Sequence, residues 1–170
     1  MIVKAKQEAP IQTEVICPIG RIALTIEDDA LTQLRFLGGP MQDANVFIAP
    51  PEKGLMGEVL KQLKAYFAGK LRDFDLPLAP QGTPFQKKVW KQLEKIPYGV
   101  TKSYLDIARS IGKPSGPRAV GMANGRNPIA IIVPCHRVIG SSGKLVGFGG
   151  GLPTKKWLLL RENPDFQLIG

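Results

Sequence analysis

The chain has 170 residues, of which 44% are hydrophobic, and this is enough for one full globular domain or two small ones. Its apolar stretches are too short to span a bilayer and its first residues lack a signal-peptide core, so we expect a cytoplasmic protein without a membrane partner. With two cysteines and one histidine, it cannot form a closed structural zinc site of Cys/His type. We therefore expect neither a metal nor a cofactor.

The net charge of +9 is distributed unevenly along the chain. Residues 1–80 contain 9 basic and 10 acidic residues, whereas residues 81–170 contain 14 basic and 4 acidic residues. A positive surplus confined to one half predicts a polyanionic partner for that half, nucleic acid first and an anionic membrane second. The alternative is a basic surface that serves only solubility.

The first half is predicted to be a small α/β scaffold domain, residues 1–80. Alternating apolar residues over 13–17, 21–26 and 31–37, separated by turn residues, predict a three-strand antiparallel meander. Cys17 lies in the first of these strands and has no titratable neighbour in sequence. We therefore expect Cys17 to be an ordinary core residue.

One amphipathic helix completes this half. Apolar residues recur at helical spacing between Leu55 and Phe67, and Gly69 is the predicted C-cap. The stretch 80–82, Pro-Gln-Gly, is the predicted linker to a second domain, residues 83–170.

The second domain begins with signals for a helix-turn-helix. The stretch 83–86, Thr-Pro-Phe-Gln, has the residues of a capping box with proline at the first helical position. Ser103 and Asp106 have the same spacing and predict the start of a second helix. After a turn, residues 118–124 predict a third, short helix. Three helices of this kind in a basic domain are typical of DNA-binding proteins.

The third helix is small and nearly apolar, and it lacks the side chains that usually distinguish base edges. This composition favours a close, sequence-independent approach to a shallow groove. Arg118 at its start is either a wedge that enters the base stack or a contact to a phosphate, and composition leaves both open.

A candidate reactive cysteine follows. The apolar run 129–133 predicts a buried segment, and Pro134 ends it because proline lacks the N–H that would continue a strand ladder. Cys135, His136 and Arg137 come next. A thiol beside the only histidine, with cations near by in sequence, is the setting that lowers a thiol pKa and yields a nucleophilic thiolate. An unreactive buried cysteine is the alternative, and these residues alone leave both open.

The end of the chain is predicted to contain a wing and a last helix. Residues 138–139, a glycine-serine turn and residues 144–146 predict a β-hairpin. The glycine-rich stretch 147–151 exposes backbone that could wrap a flat ligand closely. A helix from Pro153 to Glu162 follows, with Trp157 expected in the core.

The stretch 134–138, Pro-Cys-His-Arg-Val, resembles the active-site signature of the O6-alkylguanine-DNA alkyltransferases, which repair alkylated guanine in DNA. The resemblance covers residues 83–162, with further matching stretches at 83–86, 97–99, 103–104, 118–121, 127–128 and 149–152. It implies an α+β fold with a winged helix-turn-helix alkyltransferase domain at the C-terminus. The first half is similar in outline to the family's N-terminal α/β domain, which is ribonuclease H-like in outline.

The resemblance also implies catalytic roles for particular residues. Cys135 is the implied alkyl acceptor, His136 passes the thiol proton on through a water, and Glu162 orients His136. Tyr104 assists the departure of guanine and helps to rotate the nucleotide. Asn127 is the hinge that ties the helix-turn-helix to the active-site segment.

Binding roles follow in the same way. The implied DNA contacts are Ser103, Tyr104, Arg118, Ala119, Gly121 and Ala123. The implied pocket for the base consists of Pro134, Val138, Phe148 and Gly149, with backbone contacts from Val138 and Gly149. Phe148 stands where many relatives have tyrosine, so any contact made by that hydroxyl is absent here.

The implied activity is stoichiometric, irreversible transfer of an alkyl group, methyl above all, from O6-alkylguanine to the protein's own cysteine. The implied partner is double-stranded DNA, bound through the minor groove by a monomer that flips the nucleotide out. O4-alkylthymine is left open as a second substrate. A non-catalytic winged-helix sensor of alkylated DNA is the alternative, although the presence of Cys135 disfavours it. An unrelated cysteine–histidine hydrolase would leave the helix-turn-helix and the basic half unexplained.

Overall fold

The computed structural model of the protein describes residues 8–167. In chain order, its elements are β1 (Ile11–Cys17), β2 (Gly20–Glu27), β3 (Ala30–Gly38), α1 (Gly54–Phe67), α2 (Pro84–Glu94), β4 (Lys102–Ser103), α3 (Tyr104–Ser110), α4 (Pro117–Gly125), a 3₁₀ turn (Cys135–Arg137), β5 (Val138–Ile139) and α5 (Leu152–Glu162). The fold is therefore α+β, as expected. Over this range, no helix is both long and apolar enough to cross a membrane.

The predicted meander is confirmed as an antiparallel sheet in the order β1-β2-β3. The central strand β2 is buried along most of its length because it pairs on both sides. Cys17, at the end of β1, is fully buried, which confirms its predicted place in the core. The sheet thus supplies a rigid apolar foundation rather than a reactive site.

Helix α1 is also confirmed, and it connects the two halves of the molecule. The Gly69 N–H donates to the Tyr66 carbonyl, and its φ of +75° is the left-handed conformation expected at a C-cap. The Phe67 ring lies 5.8 Å, centroid to centroid, from Trp157 of α5. Trp157 is partly buried and packs against the core. One apolar core therefore runs through both halves.

The helix-turn-helix forms as predicted. Both capping boxes are present, one between Thr83 and Gln86 and one between Ser103 and Asp106. Helix α4 begins at Pro117, and the Trp90 indole N–H of α2 donates to the Ala123 carbonyl at 2.8 Å. This bond ties the first helix of the module to the third.

The predicted hairpin wing is wrong in its second strand. Residues 144–146 form no strand, and β5 pairs instead in parallel with β4. The turn itself is closed by the Gly140 N–H, which donates to the Lys144 carbonyl at 3.0 Å. On either side of it, Lys155 Nζ donates to the carbonyls of Val138, at 2.6 Å, and Val146, at 3.2 Å. These carbonyls have a hydrogen-bond partner without a strand ladder.

The edge of the N-terminal sheet reaches the active-site segment directly. The Leu34 N–H of β3 donates to the Pro128 carbonyl at 2.9 Å, and the Ala130 N–H donates to the Leu34 carbonyl at 3.2 Å. Leu34 and Ile129 form a parallel bridge. The segment before Cys135 is therefore held in place by the first half of the chain.

Candidate active site

The segment before Cys135 is buried, as predicted, but it consists of turns rather than a strand. The Ile132 N–H donates to the Ala130 carbonyl at 2.8 Å, and Ile131 between them has a φ of +72°. This is a γ-turn in a conformation that β-branched residues rarely adopt. A second γ-turn surrounds Pro134, where the Cys135 N–H donates to the Val133 carbonyl at 2.8 Å. The turn around Pro134 is the common inverse type, whereas the strain at Ile131, about 1–3 kcal/mol, persists only where the surroundings enforce it.

Two asparagines hold this segment. Asn127 Nδ2 donates to the Val133 carbonyl at 2.8 Å, while its Oδ1 accepts from the Ile129 N–H at 3.0 Å. Asn124, in the last turn of α4, donates to the Cys135 carbonyl at 3.3 Å. Both side-chain bonds of Asn127 lie within the segment, and Asn124 supplies the bond from α4 to it. Asn124 was missed, although a polar residue beside Ala123 on the apolar side of the helix was a signal for it.

The 3₁₀ turn brings His136 and Arg137 onto one carboxylate. His136 Nε2 lies 2.7 Å from Glu162 Oε1, and Arg137 Nε donates to the same oxygen at 2.8 Å. Arg137 also donates to the Ile96 carbonyl at 2.7 Å. All three side chains are buried, with His136 at 0% exposure. The expected pairing of His136 with Glu162 is thus present, whereas the role of Arg137 as a second partner was not expected.

The charges in this cluster favour a neutral histidine. Burial lowers the pKa of His136, and the neighbouring Glu162 offsets only part of that effect. Burial raises the pKa of Glu162, but His136 and Arg137 outweigh it and the net shift is downward. The Glu162 carboxylate therefore accepts from Nε2–H, which leaves Nδ1 with its lone pair. Nδ1 is buried and has no hydrogen-bond partner among the described residues.

Of the two settings that the sequence left open for Cys135, the structure has the one in which burial raises the thiol pKa. Burial raises the pKa of Cys135, and the Asn127 side chain and the charge of Lys155 offset this only in part. Arg137 turns toward Glu162, so it does not serve as the cation beside the thiol. Cys135 is 4% exposed and is a thiol at neutral pH, so its nucleophilic form requires a base.

Lys155 is a buried cation close to the thiol that the sequence did not indicate. Its side chain is fully buried, and burial lowers its pKa to about 8. Its two bonds to Val138 and Val146 connect α5 to both sides of the loop that follows Cys135. In the sequence, its position one helical turn before Leu158 and Leu159, which are also buried, was the available signal.

A small cavity of about 70 Å³ opens beside the thiol. Its walls are formed by Leu34, Phe36, Asn124, Gly125, Asn127, Ala130, Cys135, Gly147, Phe148 and Gly149. Phe148 and Gly149 were predicted here. Pro134 lies instead on a separate cavity behind the segment, because the γ-turn around it faces that side. The Val138 carbonyl already accepts from Lys155, so its predicted backbone contact to a base has a competitor.

The exposed face of the helix-turn-helix lies next to this cavity. Tyr104, Arg118 and Gly121 line a wider cavity of about 440 Å³ together with Val146 and Gly147. The Tyr104 ring packs over Gly121, where an added Cβ would lie 3.7 Å from it. This is an ordinary van der Waals distance, so the packing of α3 on α4 would tolerate a methyl group at Gly121.

The remaining predicted DNA contacts are divided between surface and core. Arg118 and Ala119 are exposed, and Ser103 is half-buried with its hydroxyl occupied as an N-cap. Ala123 is buried against α2, so its side chain does not belong to the exposed face. Met122 also lies on the surface of α4, with 66% of it exposed. The sequence did not predict this, because an apolar residue in a helix predicts a core position.

Comparison with known proteins gives a family for this arrangement. The family model for the 6-O-methylguanine DNA methyltransferase, ribonuclease-like domain, matches residues 13–80. The one for the 6-O-methylguanine DNA methyltransferase, DNA binding domain, matches residues 84–164. A Methanosarcina barkeri protein named methylated-DNA–protein-cysteine methyltransferase is 55% identical over 86% of this chain and 93% of its own length. A Mycobacterium bovis protein of the same name is 52% identical over 85% and 87%.

Solved structures agree. The Mycobacterium tuberculosis O6-methylguanine methyltransferase superposes with a TM-score of 0.79 and 47% identity, over 92% of this chain and 94% of that one. A structure of Mycobacterium tuberculosis OGT in complex with DNA gives a TM-score of 0.78 and 49% identity, over 89% and 92%. The chain therefore belongs to the 6-O-methylguanine DNA methyltransferase family. The family resemblance and the α+β fold inferred from the sequence are confirmed.

Proposed function

We propose that this protein repairs DNA by transferring an alkyl group from O6 of guanine to Sγ of its own Cys135. Its relatives carry the name of this activity, and one of them has been solved with DNA. The observation that carries the assignment is the placement of Cys135, with the His136–Glu162 pair, directly beneath the exposed face of a basic helix-turn-helix. DNA is the partner that this face and its positive charge select.

The chemistry balances with the residues present. The S–C bond forms as the C–O6 bond breaks, and the electron pair of that bond remains on guanine. The thiol proton passes to His136 Nδ1 through a bridging water, and Glu162 stabilises the resulting imidazolium. A sulfur nucleophile suits an sp³ carbon. Tyr104 supplies a donor near the leaving guanine, whose negative charge it would offset.

Nucleotide flipping follows from burial. The thiol is 4% exposed and its cavity lies below the surface that α4 presents to DNA. An alkyl group on a stacked base cannot reach it, so the nucleotide must leave the duplex. Arg118, exposed at the start of α4, would fill the gap in the stack, and the glycines after Val146 would border the extruded base.

The product is a thioether, and the described residues include no group able to cleave it. Each molecule therefore repairs one lesion and is then spent. We also propose that it acts in the cytoplasm. We further propose a division between a scaffold domain, residues 1–80, and an alkyl-transfer domain, residues 83–170.

The direct test is intact mass spectrometry after incubation with an O6-methylguanine duplex. We expect a gain of one methyl group per protein, located on Cys135 by peptide mapping. An unchanged mass with retained binding to the alkylated duplex would support the non-catalytic sensor instead. Binding in either case should weaken steeply with salt, because the contacts are mainly to phosphate.

A further inference from the structure

A phenylalanine of the N-terminal sheet lies in the wall of the cavity that contains Cys135. Leu34 and Phe36 of β3 both line this cavity, while Arg35 between them is exposed. Alternate residues of a strand point to the same face, so the register of β3 decides which side chains reach the thiol. That register is fixed by the two hydrogen bonds between Leu34 and the segment 128–130.

The Phe36 ring is held from two further sides. Its centroid lies 5.4 Å from that of Phe148, with a tilt of 60° between the rings. Gly150 lies directly under it, and a Cβ added there would meet the ring at 3.0 Å. A side chain confined by an aromatic partner and a glycine backbone has little room to move aside.

The free space is small compared with the groups it must accept. The cavity measures about 70 Å³, and on the same measure one water-sized group, comparable to a methyl, needs about 10–15 Å³. A benzyl or other bulky group exceeds that room unless a wall gives way. The walls that face Phe148 come from the N-terminal sheet, which the proposed function uses only as a scaffold.

We propose that Phe36 is a specificity-determining residue, through which the N-terminal domain limits the size of the alkyl group accepted at Cys135. The inference rests on the proposed function. A smaller side chain at this position enlarges the pocket and favours bulky lesions, and a larger one narrows it further. An apolar pocket discriminates roughly tenfold or more for each methylene-sized difference, so the effect is measurable.

The experiment compares second-order rate constants for duplexes that contain O6-methylguanine or O6-benzylguanine. Phe36→Leu should raise the benzyl-to-methyl rate ratio roughly tenfold, and Phe36→Trp should lower it. Phe47→Leu is the matched control, because Phe47 belongs to the same half but packs on Phe67, 6.2 Å between centroids, and does not border the cavity. Its ratio should equal that of the wild type.

If both rates change in parallel in the Phe36 variants and the ratio stays within about twofold of wild type, Phe36 is structural and the proposal fails. Thermal unfolding of each variant identifies a general loss of fold, and the ratio of two rates on the same preparation cancels a loss of active protein. Failure of the proposed function has a different signature, since the wild type would then transfer no alkyl group from either duplex.

Discussion

Cys17 and Cys135 are both buried free thiols, yet they lie in different kinds of environment. Cys17 ends a regular strand, and its Sγ donates to the Gly20 carbonyl at 3.3 Å. Cys135 follows two γ-turns and is bordered by His136 and Asn127. Burial raises the pKa of both thiols, in the case of Cys17 to about 11.

Depth alone therefore does not make a cysteine reactive or inert. What distinguishes Cys135 is a cavity at its sulfur, a neutral imidazole next to it in the chain and a cation in reach. Cys17 has a backbone acceptor instead. Four predictions test this comparison, from the largest expected effect to the smallest.

Replacing each sulfur by oxygen should separate the two residues completely. Cys135→Ser should give no methylated protein with an O6-methylguanine duplex, because a buried hydroxyl is a far weaker nucleophile than a thiol. Cys17→Ser should still gain one methyl group per molecule. Intact mass measures the methyl gain of both variants. A Cys17→Ser protein that unfolds normally but gains no methyl group would contradict the contrast between the two cysteines.

Removing the charge of Glu162 should slow transfer by at least about 100-fold, the usual contribution of a positioned acid–base group. Glu162→Gln leaves the imidazolium of His136 without its anionic partner. Single-turnover kinetics with the methylated duplex gives the rate.

Glu94→Gln is the control for this change, since Glu94 is an exposed acid on α2. Loss of the anion also leaves Arg137 buried without a counter-ion, which costs about 3–5 kcal/mol. Rates must therefore be taken below the unfolding temperature of the variant. A rate equal to that of the control would remove Glu162 from the mechanism.

Lys155→Met should lower the rate at neutral pH by about tenfold, which corresponds to one pKa unit in the thiol. The charge of Lys155 lowers the pKa of Cys135, so its loss raises that pKa further. The rate should climb with pH in both proteins, because ionisation of the thiol and a neutral His136 both require higher pH. Because Lys155 itself loses its proton near pH 8, the gap between the two rates should be widest below pH 8 and should close above it.

Lys156→Met provides the neighbouring control, since Lys156 is exposed on the same helix. Its pH–rate profile should coincide with that of the wild type. Coincident profiles for all three proteins would show that Lys155 acts only through packing.

Cys17 should influence stability rather than repair. Its pKa is 9.0 in the unfolded chain and about 11 when folded, so the neutral thiol favours the folded state. This contribution is present below pH 9 and is lost as pH rises through 11, by up to about 2–3 kcal/mol. Urea unfolding at pH 8.5 and 10.5 should show that Cys17→Val lacks this loss. An equal pH dependence in wild type and variant would contradict the assigned pKa.

Local features were predictable because their causes are close in sequence. Both capping boxes need only residues three apart, and the meander follows from alternation and turn residues. The resemblance located Cys135, His136 and Glu162. Other features depend on packing: Lys155 binds the Val138 and Val146 carbonyls where a strand was expected, and Arg137 turns to Glu162, 25 residues away in the chain.

By itself, the sequence determined the class of the fold, the basic half that selects DNA and the cysteine that we propose as the alkyl acceptor. Only the tertiary structure decided the state of that cysteine, because its pKa depends on burial and on Lys155 and Asn127. It also decided that Phe36 borders the same cavity. Charge and periodicity are properties of the chain, whereas desolvation and pocket shape arise when distant segments pack together.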